Sequence, residues 1–219
     1  MAKKIVILGG IGNGSVIANA IMDANRRGYG EWEFAGYLND RIERGSLIES
    51  QPVLGKLDDW PEFADRGFHF INTIYRVDGQ RERIERFEGL GIPDERLAVF
   101  IHPQAYVAPS ACLEPGTVVM PMACVSSAST IGKGTLVMVG AAVLHNTRIG
   151  RYCHLAAHCC VGANISVADG VHIGLSATVR ENLAIGRNAT LGMGAVLMKN
   201  MRENEIWAGN PARFLRMAE

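Results

Sequence analysis

A six-residue repeat of aliphatic residues runs through the second half of the chain. Val, Ile or Leu occupies every sixth position from Val107 to Leu197, sixteen positions in all. A small residue (Ala, Ser, Thr or Cys) stands four places after the aliphatic in twelve of the sixteen repeats, and glycine often follows the aliphatic directly. A repeat of this length predicts short strands separated by turns, each inserting one side chain into a narrow axial core. We therefore predict an uninterrupted parallel β-helix.

The first hundred residues follow a different pattern, in which strands and helices alternate. A strand at 4–8 ends in a glycine-rich turn, and apolar residues then recur at helical spacing over 15–25. Further strands are predicted at 34–38 and 68–74, and further helices at 60–66 and 81–90. This alternation predicts a small parallel α/β sheet of the half-Rossmann kind.

Charge divides the chain at the same place. Only 8 of the 91 residues from Val107 to Leu197 are charged, whereas the other 128 positions carry 36 charges. We predict an α/β domain at 1–100, a β-helix domain at 101–205 and a C-terminal tail at 206–219. The open ends of the β-helix need covers, which the first domain and the tail would supply.

Overall composition excludes several classes of partner. The chain has 22 basic and 22 acidic residues, so no net charge favours binding to nucleic acid or to an anionic membrane surface. No apolar run approaches the roughly 20 residues of a membrane-spanning helix. Five cysteines without a C-x-x-C pair argue against a disulfide framework and against a thiolate zinc site. We expect a cytoplasmic protein without a membrane span.

The glycine-rich turn after the first strand is a candidate phosphate site. Gly10, Gly12 and Gly14 would let the backbone approach a pyrophosphate at the N-terminus of the following helix. NAD is one possible ligand of such a turn. Against NAD, Asp40 follows Gly14 by 26 residues and the domain is only half of a dinucleotide-binding fold.

Several motifs in this order resemble those of a known family. They are the turn Ile5 to Gly14, Gly36 to Asp40, Pro52 to Gly55, Ile101-His102-Pro103, the hexads, Leu144-His145-Asn146, Cys153-His154-Leu155 and Trp207 to Arg213. Together they resemble the hexapeptide-repeat acyltransferases, whose β-helix is left-handed with three hexads per coil. The whole chain is most similar to bacterial sugar acetyltransferases that join a small nucleotide-sugar-binding domain to that helix. Bacillosamine and perosamine N-acetyltransferases and sialic acid O-acetyltransferases are members.

The resemblance implies an acetyl-CoA-dependent N-acetyltransferase that acts by direct transfer on the amino group of a nucleotide-linked amino sugar. The resemblance also implies a role in cell-surface polysaccharide. The apolar flanks Val137-Met138-Val139 and Ala141-Ala142-Val143 of a three-sided β-helix would otherwise be exposed to water, and they predict a homotrimer. His145 matches the general base of the family, and a neutral imidazole suits that role near pH 7. Asn146 departs from the usual aspartate after the base, and an amide can orient the ring but adds no charge.

The resemblance also implies which residues bind acetyl-CoA and the nucleotide sugar, and the 18-residue period adds a candidate oxyanion donor. The period places the backbone of Ala163 one coil above His145, where an N–H could stabilise an oxyanion. Asn13 and Asn39 stand where relatives often carry histidine and aspartate. The implied acetyl-CoA residues are His154, Leu175, Gly192 and Met193, and the implied nucleotide-sugar residues are Gly12, Asn13, Gly14, Asn39, Asp40 and Gly55. No metal is expected.

Three alternatives remain open at this stage. One is a sugar O-acetyltransferase of the sialic acid type. Another is a non-catalytic scaffold that binds nucleotide sugars, which Asn146 keeps open. The third is a zinc site of His145, His154 and His158, like that of the hexapeptide-repeat carbonic anhydrases, although this would leave the N-terminal domain unexplained.

Overall fold

The computed structural model describes residues 2–75 and 79–218, which form an α/β unit followed by a parallel β-helix. The elements of the α/β unit are β1 (Lys3–Leu8), α1 (Asn13–Arg26), β2 (Trp32–Leu38), β3 (Leu47–Ile48), β4 (Gln51–Gly55), α2 (Trp60–Asp65), β5 (His69–Asn72) and α3 (Gln80–Glu88). Its five-stranded sheet has the order β3-β4-β2-β1-β5 and is parallel except for the β3–β4 hairpin. Two one-turn 3₁₀ helices, Leu57–Asp59 and Asp94–Arg96, lie in the connections.

The predicted strands and helices of this unit are present, with ends that move by up to two residues. The β3–β4 hairpin was not predicted, because its two strands are short and one of them contains Pro52. β1 is an interior strand between β2 and β5, its last four residues are buried, and the apolar side of α1 packs against it.

The β-helix is built from two-residue strands, three to each coil of 18 residues, and ends in two longer strands, β23 and β24, that pair antiparallel. The strands are β6 (Phe100–Ile101), β7 (Tyr106–Val107), β8 (Cys112–Leu113), β9 (Val118–Val119), β10 (Cys124–Val125), β11 (Thr130–Ile131), β12 (Leu136–Val137), β13 (Ala142–Val143), β14 (Arg148–Ile149), β15 (His154–Leu155), β16 (Cys160–Val161), β17 (Ser166–Val167), β18 (His172–Ile173), β19 (Thr178–Val179), β20 (Ala184–Ile185), β21 (Thr190–Leu191), β22 (Val196–Leu197), β23 (Glu205–Ala208) and β24 (Arg213–Met217). Face 1 contains β6, β9, β12, β15, β18, β21, β23 and β24; face 2 contains β7, β10, β13, β16, β19 and β22; face 3 contains β8, β11, β14, β17 and β20.

Each repeated aliphatic is the second residue of its strand and points into the axial core. All sixteen are buried except Val107 and Leu113 in the first coil, which are half-buried. The small residues of the repeat lie at the corners of the coils, and the four larger residues at this position, Ile165, Val171, Leu183 and Met201, are buried as well. Thr135 and Thr147 donate hydrogen bonds to the carbonyl oxygens of Gly150 (2.9 Å) and Gly162 (2.8 Å) in the next coil.

The α/β unit packs on the outer side of face 1. Ile17, Ile21 and Ala24 of α1 share one apolar cluster with Val118 and Leu136 of the β-helix. His102 is fully buried at this junction, and its Nε2 lies 3.5 Å from Oδ2 of Asp23. Among the described residues, no helix is both long and apolar enough to cross a membrane.

Candidate active site

A column of side chains on the outer side of face 1 changes from apolar to polar below the glycine-rich turn. Residues 18 apart pair in register along this column, so that Val118 is followed by Leu136, His154, His172 and Thr190. The first two pack against α1. The last three are polar yet at least nine-tenths buried, which requires hydrogen-bond partners.

Both ring nitrogens of His154 have such a partner. Nε2 lies 3.0 Å from the side-chain nitrogen of Asn13, and Nδ1 lies 3.2 Å from Nδ1 of His172. Tyr75 stacks on the His154 ring with centroids 4.4 Å apart. Two residues predicted at different substrates, Asn13 and His154, are therefore in direct contact.

Burial controls the charge of this histidine pair. Loss of hydration, together with a smaller effect of the neighbouring His172, lowers the pKa of His154 to about 3. Burial likewise lowers the pKa of His172 to about 4. Both imidazoles are therefore neutral at neutral pH.

The glycine-rich turn is crowded on its inner side and open on its outer side. A Cβ atom at Gly9 would lie 2.3 Å from Oγ1 of Thr73, and one at Gly14 would lie 3.0 Å from the same atom. At Gly12, the residue before α1, φ is +93° and a Cβ would meet nothing within 4 Å. The backbone N–H groups of Asn13 and Gly14 donate to no acceptor among the described residues, so the turn presents free donors at a helix N-terminus.

Asn39 and Asp40 follow β2 at the same edge of the sheet, but their side chains already have protein partners. The Asn39 amide donates to the Gly9 carbonyl oxygen (2.9 Å) and accepts from the backbone N–H groups of Arg41 and Ile42. Asp40 accepts from the Leu57 N–H (3.0 Å) and from Arg86 (3.1 Å). Asn39 thus holds the loop in shape, whereas Asp40 also borders a cleft.

That cleft has a volume of about 590 Å³, and Asp40 and Gly55 both line it. Its other lining residues include three basic and two acidic side chains: Arg41, Arg44, Lys56, Glu43 and Asp59. Side chains of both signs at one opening provide hydrogen-bond donors and acceptors for a polar ring.

His145 is exposed at the corner where face 2 ends and face 3 begins. Its Nδ1 lies 3.1 Å from the side-chain nitrogen of Asn146. Asn146 adopts the left-handed conformation with φ +57°, as many residues at this corner of the repeat do. The two residues form an exposed pair that leaves Nε2 of His145 directed away from Asn146.

Ala163 lies one coil beyond His145, as the period predicted, because the N–H of the adjacent Asn164 donates to the His145 carbonyl oxygen (3.1 Å). The N–H of Ala163 itself makes no hydrogen bond within the described parts of the chain. A free backbone donor is therefore present beside His145.

Leu175, Gly192 and Met193 lie at the other edge of face 2, where face 1 ends. Leu175 and Met193 stand in the same column, and their side chains are exposed by 52% and 77%. Gly174 and Gly192 stack so closely that a Cβ at Gly174 would lie 2.7 Å from the Gly192 carbonyl carbon. Gly174 is thus required by packing between coils, whereas a Cβ at Gly192 would lie 3.1 Å from the Cβ of Ala208. Leu175 and Met193 form an exposed apolar ridge, called here the 175/193 ridge.

The structure brings some predicted site residues together and separates others. Asn13, Gly12 and Gly14 lie beside His154, whose strand leads into the corner of the 175/193 ridge. His145 lies at the opposite edge of face 2, and no hydrogen bond joins it to His154 or to the turn in the described residues. Within one chain, the candidate base and the candidate substrate turn are therefore on different sides of the β-helix.

Three further residues contact His154 or Thr190 in this buried cluster and were not predicted from the sequence. They are His172, Tyr75 and Gln80, whose Nε2 donates to Oγ1 of Thr190 (3.2 Å). The 18-residue period places His154, His172 and Thr190 in one column, so this part of the cluster was predictable from the sequence. Tyr75 and Gln80 come from the other unit, and no local pattern indicates their contact with face 1.

No metal centre is formed by the residues that the structure describes, since nowhere do three or more His, Cys, Asp or Glu side chains come close enough to hold an ion. His154, one member of the alternative zinc set, has both ring nitrogens occupied by Asn13 and His172.

The chain is similar to one protein family and to several solved structures. The family model for the bacterial transferase hexapeptide (six repeats) matches residues 128–163. A search of curated proteins found no match. The acetyltransferase domain of PglB from Neisseria gonorrhoeae FA1090 is 29% identical, with a TM-score of 0.82 over 97% of this chain and 100% of that domain. A second structure of that domain contains acetyl coenzyme A.

Two other solved structures are similar over nearly the whole chain. A variant of GDP-perosamine N-acetyl transferase from Caulobacter crescentus, in complex with CoA and GDP-perosamine, is 25% identical, with a TM-score of 0.82 over 99% of this chain and 98% of that one. WeeI from Acinetobacter baumannii AYE is 24% identical and supports the fold alone, with a TM-score of 0.77 over 98% of this chain and all of that one. These findings confirm the predicted left-handed β-helix and the predicted resemblance: the chain is an acyltransferase built like the hexapeptide-repeat sugar acetyltransferases.

Proposed function

We propose that this protein is an acetyl-CoA-dependent N-acetyltransferase that acts on the amino group of a nucleotide-linked amino sugar. One observation carries the proposal: the glycine-rich turn of the α/β unit meets the β-helix through the 3.0 Å contact between Asn13 and His154. A nucleotide held at the turn would thus have its sugar beside the β-helix. The similar structures with CoA and GDP-perosamine support both substrate classes.

The turn offers a suitable site for the diphosphate of a nucleotide sugar. The free N–H groups of Asn13 and Gly14 lie at the positive end of α1, and Gly12 leaves space for the ligand to approach. The cleft that Asp40 and Gly55 line lies on the same side of the sheet, at the ends of β2 and β4, and would receive the nucleobase.

The chemistry requires one acyl transfer and one proton transfer. The neutral amine of the sugar attacks the thioester carbonyl carbon, so that a C–N bond forms and the C–S bond breaks. Nε2 of His145 accepts the amine proton and returns it to the departing thiolate, which leaves as the thiol of coenzyme A. The free N–H of Ala163 would stabilise the negative oxygen of the tetrahedral intermediate.

Asn146 must present its oxygen to His145 for this reaction. The side-chain nitrogen now faces Nδ1, and an amide nitrogen only donates, so a neutral imidazole in this arrangement carries its proton on Nε2. Turning the amide over lets Oδ1 accept a proton from Nδ1, which frees Nε2 as the acceptor. We propose that substrate binding selects this second orientation.

A second copy of the chain would complete the site. His145 and the 175/193 ridge flank face 2 from opposite edges, and the outer side chains of face 2 are small or apolar: Tyr106, Cys124, Ala142, Cys160, Thr178 and Val196. Packing of face 2 against a neighbouring copy would cover this surface and bring His145 of one copy to the ridge of the next. A closed ring of three copies satisfies this arrangement, so we propose a homotrimer.

The test is an assay with acetyl-CoA labelled in the acetyl group and a panel of UDP-, GDP- and dTDP-linked amino sugars. We expect transfer to at least one amino sugar and none to the matching sugar with a hydroxyl in place of the amine. An amide product survives mild alkali, whereas an acetyl ester is cleaved. Transfer that yields only an alkali-labile product would support O-acetylation, and transfer to no acceptor would contradict the proposal.

A further inference from the structure

The direction of the contact between Asn13 and His154 follows from the end of the Asn13 amide that faces the ring, which is its nitrogen. The Asn13 side-chain nitrogen can only donate, so Nε2 of His154 accepts this 3.0 Å hydrogen bond. A neutral imidazole carries one proton, which must then lie on Nδ1. His154 is neutral because burial keeps its pKa at about 3.

The direction of the next hydrogen bond follows from the first. Nδ1 of His154 donates to Nδ1 of His172, 3.2 Å away, and His172 therefore carries its own proton on Nε2. The two rings stack with centroids 5.2 Å apart, and each is at least 92% buried, so water does not compete for this bond. Hydrogen bonds thus connect three side chains in series, from Asn13 at the glycine-rich turn through His154 to His172 in face 1.

We propose that His172 is a positioning residue that accepts the Nδ1 proton of His154 and thereby keeps the lone pair of His154 Nε2 turned towards the substrate site. The proposal rests on the proposed function and names what His154 recognises there. A lone pair binds a hydrogen-bond donor and repels a carbonyl oxygen. The donors near the reactive end of acetyl-CoA are the amide N–H groups of its pantetheine arm, one of which would replace the Asn13 amide at Nε2.

Two substitutions of His172 separate this role from a merely structural one. His172→Phe keeps a stacking ring but removes the acceptor, whereas His172→Gln supplies an acceptor oxygen without the ring. Loss of one neutral hydrogen bond corresponds to about a tenfold change in affinity. We expect His172→Phe to raise the Kd for coenzyme A and the KM for acetyl-CoA about tenfold with kcat nearly unchanged, and His172→Gln to restore most of the affinity.

The control is Ser166→Ala, which removes an exposed side chain from face 3 in the same coil and should change none of these constants. Calorimetric titration with coenzyme A gives the Kd without any sugar. Equal Kd values for wild type and a folded His172→Phe variant would overturn the proposal.

A second measurement needs neither substrate nor turnover. In ¹⁵N spectra of histidine-labelled protein, the signals of His154 are those absent from the His154→Gln variant. In the wild type these signals should show a protonated Nδ1 and an unprotonated Nε2. A protonated Nε2 would overturn the proposal whatever the variants do. Failure to acetylate any amino sugar, together with the expected spectrum and Kd shift, would contradict the proposed acceptor and leave this inference standing.

Discussion

At the scale of single residues, Asn146 has two physical reasons to be asparagine. Its backbone has φ +57°, a conformation that asparagine and glycine adopt at little cost and most other residues avoid. Its amide also contacts His145 at 3.1 Å. Both reasons act at one corner of the coil, so the residue type alone does not separate a role in the turn from a role in catalysis.

Asn146→Asp tests the catalytic role with little change to the turn. A carboxylate beside the imidazole favours its protonated form, while the reaction needs the neutral form. We therefore expect the acidic limb of kcat/KM against pH to move to higher pH, and the alkaline plateau to rise where basicity limits the rate. An acidic limb that stays in place would show that residue 146 does not act on the base.

The companion variant Asn146→Gly keeps the left-handed turn but lacks the amide. Leucine at this position would add backbone strain, so its effect on activity could not be assigned to the lost hydrogen bond. We expect Asn146→Gly to lose activity at every pH while its melting temperature stays close to that of the wild type.

His145→Ala removes the candidate base itself. We expect kcat to fall by about 10²–10⁴-fold, the usual contribution of a general base, while the Kd for coenzyme A stays nearly constant. The measurement is steady-state kinetics from pH 6 to 9 beside calorimetric titration. Turnover near the wild-type rate across this range would assign proton transfer to another group.

At the scale of elements, the β-helix was predictable and the buried cluster below the glycine-rich turn was not. Each coil contacts only the coils before and after it, so the six-residue period contains nearly all the information about its strands. The contact of Asn13 with His154 joins residues 141 apart, and their pairing depends on how the α/β unit packs on face 1. Asn39, predicted to bind the nucleotide sugar, is a second example. Its hydrogen bonds to the backbone of Gly9 and Arg41 account for its position without any ligand.

Neighbouring coils approach so closely at Gly132 that this corner requires glycine. A Cβ at Gly132 would lie 2.5 Å from the carbonyl carbon of Gly150, whereas one at Gly30 would meet nothing within 4 Å. We expect Gly132→Ala to lower the free energy of unfolding by about 1–3 kcal/mol through overpacking, and Gly30→Ala to leave it unchanged or raise it by up to about 1 kcal/mol. Urea unfolding of both variants provides the measurement, and equal destabilisation by the two would contradict this account.

At the scale of the whole molecule, the two neutral histidines make stability depend on pH. Burial lowers the pKa of His154 to about 3 and of His172 to about 4, whereas the unfolded chain binds protons at both near pH 6.5. Below that pH the unfolded state binds more protons. The free energy of unfolding is therefore not reduced by these two histidines above pH 6.5. It falls on acidification, by about 1.4 kcal/mol per pH unit for each histidine between pH 6 and 4.

Comparison of variants isolates this contribution from that of the carboxylates. His172→Phe should lose stability less steeply than the wild type between pH 7 and 5, at one protein concentration. His158→Asn changes an exposed histidine whose φ of +60° asparagine tolerates, so its pH dependence should match the wild type. Parallel curves for all three proteins would show that the buried pair is protonated before unfolding.

In the proposed trimer, assembly brings His145 to the substrates, and mixed assemblies test this directly. His145→Ala removes the base from one edge of face 2, and Leu175→Asp places a charge on the 175/193 ridge at the other edge. Each variant alone should be inactive. Co-expressed in equal amounts, the two variants should assemble into mixed trimers. About one quarter of the sites in these trimers would combine an intact base with an intact ridge from a neighbouring copy. Activity should therefore return to about a quarter of the wild-type value. The same variants purified separately and then mixed without unfolding should stay inactive. Absence of activity after co-expression, with trimers seen by sedimentation, would place the base and the ridge of each site on one chain.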